Sequence, residues 1–348
     1  MLPDHQDDHG ARSVTMRDVA SQAGVGIATV SRVVNGKAGV TADVVERVTR
    51  AAQLLGYRHD LTASSLRRAD RRTGILGLVL EDVANPFSSA LQRAVEDAAT
   101  ERGVLVLAGS SDEDPVRERG LIQTFSAHRV DGLVVVPTGQ AGGLAAALDH
   151  DIPVVCVDRV VDGATADTVT TDNRLGVREC VRALHALGHR RIAFLGDLAA
   201  IWTARERYAG FAEGMDDTGC RPSPALVRRG LHTQAAAEKA VGSLLELPDP
   251  PTAIFSAQNL ITVGARRVLQ NLELEYRVAL IGFDDFPLAD LLSPGVSVVA
   301  QDPAAMGREA ARLLFERLDG EKGPIRHSVV ATRWIARGSG ELPGPHAT

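Results

Sequence analysis

The chain has 348 residues, which at about 100–200 residues per domain allows two or three domains. Hydrophobic residues make up 45% and charged residues 24% of the sequence, which excludes disorder across the whole chain. No stretch approaches the roughly 18 uninterrupted apolar residues of a membrane helix, and the acidic N-terminus lacks the apolar segment of a secretory signal. The three cysteines are far apart and form no CxxC pattern, which predicts reduced, buried thiols. We therefore expect a soluble, cytoplasmic protein.

The charge is distributed unevenly along the chain. The formal net charge is −6, yet residues 11–72 hold eleven Lys or Arg and only five acidic residues. The rest of the chain is acidic. A basic head on an acidic body indicates a polyanionic partner for the head, although a solvated basic surface would have the same charge.

The head is predicted to form three short helices between Thr15 and Gly56. Thr15 caps the first helix, and Asp18 at the third position completes a capping box. A tight turn with two glycines follows, and the second helix covers residues 27–34. Thr41 caps the third helix, which ends at Gly56.

From Gly74 onwards, apolar segments of strand length alternate with amphipathic helical segments. The predicted strands cover residues 74–80, 104–107, 132–136, 153–157, 191–195, 226–229, 253–255, 279–283 and 329–335, with helices between them. Such alternation predicts parallel sheets with right-handed crossovers. About 265 residues of this pattern exceed one hydrophobic core, so we expect two α/β lobes.

The predicted organisation has five segments. They are a disordered tail (1–13), a helix-turn-helix domain (14–58), a linker with a short helix-compatible piece (59–73), a two-lobed domain (74–340) and a second tail (341–348). We assign residues 74–171 and 300–320 to the N-lobe, and residues 172–299 and 321–340 to the C-lobe.

The second helix of the head has side chains suited to reading DNA. Thr29 and Ser31 can donate to phosphates, and Arg32 can make a bidentate contact with guanine. Ile27 and Ala28 can contact thymine methyl groups. Alternatively, all five are simply exposed residues of a small helical bundle.

The head also resembles a known family. The segments VTMRDVASQAGVGIATVSRVVNG and VTADVVERVTRAAQLLGY, which together run ungapped from Val14 to Tyr57, are similar to the DNA-binding head of LacI/GalR transcription regulators. The resemblance implies base-reading roles for Ile27, Ala28 and Arg32, and places Arg17 where the first helix reaches the groove. It implies phosphate or backbone contacts for Thr15, Thr29, Ser31, Asn35 and Tyr57. It also implies that Ala63 and Leu66 belong to a hinge helix whose leucine wedges into the minor groove.

Two features of the head depart from the family pattern. Gly26 stands where Ser or Thr is usual, which removes one phosphate-binding hydroxyl and weakens the helix cap. His59-Asp60 stands where Pro-Asn is usual before the hinge helix, which predicts a looser hinge.

The resemblance continues to about residue 337 and implies a periplasmic-binding-protein-like domain with an effector between its lobes. The segments that carry it include Val83–Phe87, Val157–Arg159, Arg207–Phe211 and Gly282–Asp285. Sugar recognition needs carboxylates, amides and guanidinium groups for the hydroxyls and an aromatic face for the ring. The effector residues expected on this pattern are Asn85, Phe87, Asp158, Arg159, Trp202, Arg207, His232, Gln258 and Asp284. Gln258-Asn259 replaces the usual Asn-Asp pair and removes a carboxylate from the rim.

Two other classes of protein remain as alternatives. A Rossmann-like enzyme is disfavoured because GxGxxG, GxxxxGK[ST], GxSxG and HExxH motifs are missing. A sugar-transport binding protein is disfavoured by the basic head and the missing export signal. We expect no enzyme activity, no cofactor and no metal.

The expected function is that of a cytoplasmic repressor, a homodimer on pseudo-palindromic operator DNA, without membrane contact. A small-molecule effector, a sugar or sugar-like metabolite, controls it, and nucleosides and purines stay open. The C-terminal residues lack heptads, which favours a dimer over a tetramer.

Overall fold

A computed structural model describes residues 14–34, 38–57, 72–139, 141–148, 150–163 and 165–347. The chain divides into two compact units, which meet in the sequence between Thr73 and Gly74. The predicted N-terminal tail and most of the predicted linker lie outside the described residues.

The first unit contains the three helices expected from the sequence. They are α1 (Met16–Ala23), α2 (Ile27–Val34) and α3 (Ala42–Leu55). Small apolar side chains from all three helices form its core: Val19, Ala20, Ala23, Val30, Val48 and Ala51. The 3.6-residue periodicity of these positions places them on the inward face of each helix.

The helix ends of this unit agree with the sequence at all but one position. Thr15 and Asp18 form the predicted capping box, with the Asp18 N–H donating to Thr15 Oγ1 and the Thr15 N–H donating to Asp18 Oδ2. Gly56 ends α3 in the left-handed conformation. Thr41 occupies the N-cap position of α3, but its side chain makes no capping hydrogen bond, so that part of the prediction is wrong.

The second unit contains twelve strands and eight α-helices among its described residues. The strands are β1 (Ile75–Leu80), β2 (Leu105–Ser110), β3 (Gly132–Val135), β4 (Val154–Val157), β5 (Asp167–Thr171), β6 (Ile192–Leu195), β7 (Val227–Arg228), β8 (Ala253–Ser256), β9 (Ala279–Phe283), β10 (Ser297–Ala300), β11 (His327–Val330) and β12 (Arg333–Ile335). The helices are α4 (Pro86–Glu101), α5 (Pro115–Ala127), α6 (Ala141–Leu148), α7 (Asn173–Ala186), α8 (Trp202–Asp217), α9 (Gln234–Leu245), α10 (Asn259–Asn271) and α11 (Pro303–Leu318). A short 3-10 turn at Pro224–Leu226 precedes β7.

These strands form two six-stranded sheets, one in each lobe. The first has the order β11-β5-β4-β3-β1-β2 and is parallel throughout. The second has the order β12-β10-β9-β8-β6-β7, and only its β10–β12 pairing is antiparallel. Both faces of each sheet are covered: α4 and α11 oppose α5 and α6 on the first, and α7 and α8 oppose α9 and α10 on the second. This two-sided burial explains the nearly continuous apolar strands of the sequence.

The chain passes between the lobes three times, and this corrects the predicted lobe boundaries. The crossings follow β5, β10 and β11, so residues 327–330 belong to the first sheet and not to the C-lobe. The single strand predicted at 329–335 is two strands, one in each sheet. Strands β5 and β10 were not predicted from the sequence. β5 reads Asp-Thr-Val-Thr-Thr and lacks the apolar run of the other strands.

Two of the three crossing segments are joined by hydrogen bonds. The Thr332 N–H donates to Asp172 Oδ1 at 2.7 Å, and Thr171 Oγ1 donates to the Val330 carbonyl at 2.7 Å. These bonds join the connections that follow β5 and β11, so the two segments move together if the lobes move.

The C-terminal segment predicted as a tail packs on the second lobe. Leu342 contacts the core between α7, α8 and the second sheet. The Gly344 N–H donates to the Leu187 carbonyl at 2.8 Å, and buried His189 bonds the Leu342 carbonyl at 2.9 Å. Residues 341–347 are therefore part of this lobe.

Candidate functional site

The first candidate site is the outward face of α2 in the first unit. Val30 is fully buried, which turns Ile27, Ala28 and Arg32 to the solvent, and Ile27 is 45% exposed despite its apolar side chain. An exposed apolar residue beside an exposed arginine on a short helix fits contact with base edges in a major groove.

The other residues predicted to contact DNA differ in how exposed they are. Arg17 is exposed on α1, and Thr15 is exposed but engaged in the helix cap. Thr29 and Ser31 are half-buried on α2, and Tyr57 is half-buried against the core of the head. Asn35, Ala63 and Leu66, together with His59-Asp60, lie outside the described residues.

Arg47 supports the turn between α1 and α2. Its Nη2 donates to the carbonyls of Ala23 at 2.6 Å and Gly24 at 3.2 Å, the end of α1. A cation at a helix C-terminus is favourable because the last carbonyls have no intrahelical partner. Sequence reasoning missed this contact, because residues 23 and 47 are distant in the chain.

The second candidate site is a cavity of about 210 Å³ between the two lobes of the second unit. Its lining comes mostly from the carboxyl ends of the parallel strands, where ligands bind in open α/β sheets. The polar and charged lining residues are Glu81, Asp82, Asn85, Asp112, Glu113, Asp158, Arg159, Asp197, Thr203, Arg207, His232, Gln258, Asp284 and Gln301. Phe87, Ile201, Ala204, Ala257 and Leu260 complete the wall.

In the first lobe, Arg159 organises the wall. Its two Nη atoms donate to the two carboxylate oxygens of Glu113 at 2.6 and 2.7 Å, and Nη1 also reaches the Pro137 carbonyl. Its Nε lies 3.4 Å from Asp158 Oδ2. All of these groups are largely buried, so the bidentate pair fixes Arg159 in one orientation.

In the second lobe, Arg207 has the corresponding role. Its Nε donates to Asn173 Oδ1 at 2.8 Å, and Nη1 donates to the Ala257 carbonyl at 2.8 Å and to Asp284 Oδ2 at 3.3 Å. The guanidinium carbon lies 3.8 Å from the centre of the Phe283 ring. Stacking and hydrogen bonds together hold the guanidinium rigidly.

Asp158 and Asp284 occupy equivalent positions in the two lobes. Asp158 directly follows β4 and Asp284 directly follows β9, and each has a φ of 70°. The Asp158 N–H donates to the Val169 carbonyl in β5, and the Asp284 N–H donates to the Val299 carbonyl in β10. A left-handed backbone at a residue other than glycine costs free energy of order 1–3 kcal/mol and is concentrated at functional sites. Both residues line the cavity.

The lobes are joined directly across the cavity by two amides. Asn259 Nδ2 donates to Asn85 Oδ1 at 2.9 Å, which links the start of α10 to the N-cap of α4. Gln258 lines the rim and caps α10, with Oε1 accepting from the Ile261 N–H at 3.1 Å. Gln258 and Asn259 stand where the family usually has Asn-Asp. Here Gln258 caps α10, and Asn259 bridges the lobes.

Burial and neighbouring groups in the cavity shift several pKa values. Burial raises the pKa of Glu81 to about 7, against the lowering influence of nearby Arg159. Burial also raises the pKa of Asp158, although Arg159 and Arg207 oppose the change. The hydrogen bond from His232 Nδ1 to Asp197 Oδ1, at 2.9 Å, raises the pKa of that imidazole.

Eight of the nine effector residues expected from the sequence line this one cavity. Trp202 is half-buried at the start of α8 and does not line it, whereas its neighbours Ile201 and Thr203 do. Sequence reasoning missed Glu81, Asp82, Asp112, Glu113, Asp197 and Gln301. Their common signal is a polar residue within a few positions of a strand end, as in Glu81-Asp82 after β1.

Two negative observations apply to the described residues. They contain no group of three or more His, Cys, Asp or Glu side chains arranged to hold a metal ion. Among them, too, no helix has the length and apolar character needed to cross a membrane.

A helix-turn-helix head followed by a two-sheet α/β domain defines a class of DNA-binding regulators built on a periplasmic-binding-protein fold. Residues 15–60 match the family described as bacterial regulatory proteins, lacI family, and residues 181–340 match the periplasmic binding protein-like domain. The chain is 33% identical over 331 residues to the HTH-type transcriptional regulator PtxS of Pseudomonas plecoglossicida, covering 94% of this chain and 95% of that protein.

Two solved structures are similar over the same length. The complex of the transcriptional regulator CelR with cellobiose has 31% identity and a TM-score of 0.70, covering 94% of this chain and 99% of that chain. The Lac repressor dimer bound to operator and the anti-inducer ONPF has 24% identity and a TM-score of 0.83, with the same coverage, and supports the fold. The chain belongs to the LacI family of bacterial transcriptional regulators.

Proposed function

We propose that this regulator is a homodimeric repressor whose affinity for a pseudo-palindromic operator is controlled by a small sugar or sugar-like effector. The effector binds in the cavity between the two lobes. The observation that carries the proposal is the convergence on that single cavity of eight side chains expected from the sequence.

The chemistry of the cavity supports a polyhydroxylated ligand. Arg159 and Arg207 are fixed by other protein groups, and carboxylates and amides stand beside them, which suits pairing with hydroxyl groups. The volume of about 210 Å³ is below the roughly 300–1,000 Å³ of sites for drug-sized ligands, which favours a single sugar unit. CelR, a relative of the same fold, was solved in complex with a sugar, cellobiose.

The DNA-reading part of the proposal rests on the exposed face of α2. Selection from a pool of randomised duplexes by the full-length protein should yield a pseudo-palindrome, because two-fold protein symmetry is mirrored in the half-sites. Arg32→Ala should cost about 1–3 kcal/mol and relax one base position in each half-site. Ser31→Ala, the matched variant on the same helix, should weaken binding to all sequences alike. Unchanged specificity in Arg32→Ala would contradict a base-reading role for this side chain.

The effector part is tested by thermal unfolding of the full-length protein with pentoses, hexoses, their phosphates, nucleosides and nucleobases. A ligand at 100 times its Kd should stabilise the fold by about 2.7 kcal/mol, a shift of a few degrees in Tm. Each stabilising compound is then added to an operator titration, which measures whether it releases or recruits the repressor. A regulator that binds its operator equally with every compound of the panel would contradict effector control by these classes.

A further inference from the structure

The cavity has far more acidic than basic groups. Seven carboxylate side chains line it, against two arginines and one histidine: Glu81, Asp82, Asp112, Glu113, Asp158, Asp197 and Asp284 against Arg159, Arg207 and His232. An anionic ligand would be repelled by this excess, whereas a cationic ligand would be attracted by it.

The cationic groups already have acidic partners. Arg159 is bonded to both Glu113 oxygens, Arg207 to Asp284, and His232 to Asp197. Asp112 pairs with Arg117, which does not line the cavity. The positive charges that line the cavity are therefore largely compensated by protein carboxylates before a ligand binds.

Glu81 and Asp82 remain without such a partner. Within the described part of the chain, neither carboxylate lies within 4.0 Å of a Lys, Arg or His nitrogen. Glu81 is only 8% exposed, and it directly follows β1 at the carboxyl end of the first sheet. A carboxylate this deeply buried is unfavourable unless it takes up a proton or a cation joins it, and Arg159 offsets the effect of burial only in part.

Three cavity-lining side chains each have a buried oxygen to which no described protein group donates. They are Glu81 Oε2, Asp158 Oδ1 and Gln301 Oε1, and all three side chains belong to residues more than nine-tenths buried. Each of these atoms accepts hydrogen bonds. A ligand that satisfies them must therefore bring donors, and an ammonium group brings three donors together with a compensating charge.

We propose that the effector is an amino sugar, whose protonated amine lies against Glu81 and Asp158 while its hydroxyls bond the remaining polar groups. This inference rests on the proposed function and specifies the class of ligand for the same cavity. An organic cation fits better than a metal ion, because no three of the described His, Cys, Asp or Glu side chains converge as metal ligands. Burial raises the pKa of Glu81 to about 7 in the unliganded fold, and a cation bound there would lower it by favouring the ionised carboxylate.

Calorimetric titration of the full-length protein with a matched series tests the proposal. The series is glucosamine, galactosamine and mannosamine, the three parent hexoses and the three corresponding uronic acids. We expect at least one amino sugar to bind tenfold or more tighter than its parent hexose, and the uronic acids to bind weakest. A parent hexose or uronic acid that binds as tightly as its amino analogue would overturn the proposal, as would failure of all three amino sugars to bind.

Variants of the carboxylates separate a charge effect from a change of shape. Glu81→Gln should reduce amino-sugar affinity about tenfold and change the affinity for the parent hexose by less than about threefold. Glu179→Gln, an exposed position on α7 away from the cavity, is the control and should change neither. If Glu81→Gln does not fold, Asp82→Asn tests the same preference at a half-exposed position, where the new amide oxygen can still accept from the Ala84 N–H. Full preference for the amine in Glu81→Gln, or in Asp82→Asn if Glu81→Gln does not fold, would contradict the assignment.

The same compounds, added to the operator titration, distinguish failure of the amino-sugar inference from failure of the proposed effector control. If a neutral or acidic sugar changes operator affinity and the amino sugars do not, the regulator function stands and the amino-sugar inference is wrong. If no compound of any class changes operator affinity, the proposed effector control fails and the inference fails with it.

Discussion

Asn259 in the second lobe donates a hydrogen bond of 2.9 Å to Asn85 in the first, a residue that lines the cavity. Asn85 Oδ1 also accepts from the Phe87 N–H at 3.1 Å, so one oxygen both caps α4 and holds the opposite lobe. The bridge couples the spacing of the lobes to the start of a helix that lines the cavity.

Loss of this bridge should loosen the closed arrangement of the lobes. Asn259→Ala removes the bridge, which contributes about 1 kcal/mol, so effector affinity should fall about fivefold. It also removes the local bond that Asn259 Oδ1 accepts from the Leu260 N–H at 2.7 Å. Small-angle scattering of the unliganded protein should record a larger radius of gyration. Asn271→Ala, at the exposed end of the same helix, is the control. Equal scattering and affinity in the two variants would mean that the bridge does not hold the lobes.

The carboxylate of Asp167 should stabilise the fold in a pH-dependent way. Burial alone would raise its pKa, but hydrogen bonds from Arg317 and Arg326 lower the pKa to about 2. Because the pKa is lower in the folded than in the unfolded state, the stabilisation is present above about pH 4 and disappears as the pH falls toward 2. Asp167→Asn should therefore reduce the free energy of unfolding at pH 7 by about 2 kcal/mol, and the deficit should shrink below pH 4.

Urea unfolding of both proteins across this pH range measures the deficit. Asp319→Asn, which removes a half-exposed ion pair with Arg102, should change stability by less than about 1 kcal/mol. A deficit in Asp167→Asn that is independent of pH would show that the ion pairs do not supply it.

Glu81 should have the opposite pH dependence. Its folded pKa of about 7 is above the ordinary value of 4.5, so folding favours the protonated form. The unliganded fold therefore loses stability as the pH rises from about 4.5 through 7. Glu81→Gln should be more stable than the wild type by up to about 3 kcal/mol at pH 8 and equal to it near pH 4.5. Chemical unfolding at the two pH values checks this, and a variant less stable at pH 8 would contradict it.

The turn of the head offers a matched pair of glycine substitutions. No atom lies within 4 Å of the position that a Cβ would take at Gly26, so Gly26→Ser fits and can cap α2, with a gain of a few tenths of a kcal/mol. Gly24 has a φ of 64°, and a Cβ there would lie 3.3 Å from Arg47 Nη2, so Gly24→Ser should destabilise the head by about 1 kcal/mol or more.

Hydrogen exchange of α1 and α2 in the full-length protein measures both effects. Operator affinity should rise in Gly26→Ser, because the hydroxyl restores a phosphate contact, and fall in Gly24→Ser. Faster exchange in Gly26→Ser than in the wild type would contradict the cap.

Much of this structure could be predicted from local sequence patterns. The apolar run at residues 75–80 and the capping box at Thr15 depend on neighbouring residues, and both were predicted correctly. Strand β5 was missed because Asp167 is accommodated there by arginines about 150 residues away. Long-range compensation of this kind leaves no local signal.

Some residues of the candidate site were likewise predicted from the sequence, and others were not. Asp158, Arg207 and Asp284 were expected because they belong to family motifs. Glu81 was missed because its surroundings depend on Asp158 and Arg159, which are distant from it in the sequence. Trp202 was expected to line the cavity because it is aromatic, but the first turn of α8 presents Ile201 and Thr203 there instead.

The central claim is that a ligand in the inter-lobe cavity and the operator on the head influence each other. The most direct measurement is the Kd of the stabilising ligand for the full-length protein, free and saturated with operator duplex. Linkage requires that operator change the ligand Kd by the same factor by which ligand changes the operator Kd, typically about 5- to 150-fold. Equal factors are the predicted result, and a ligand Kd unaffected by operator would contradict the account.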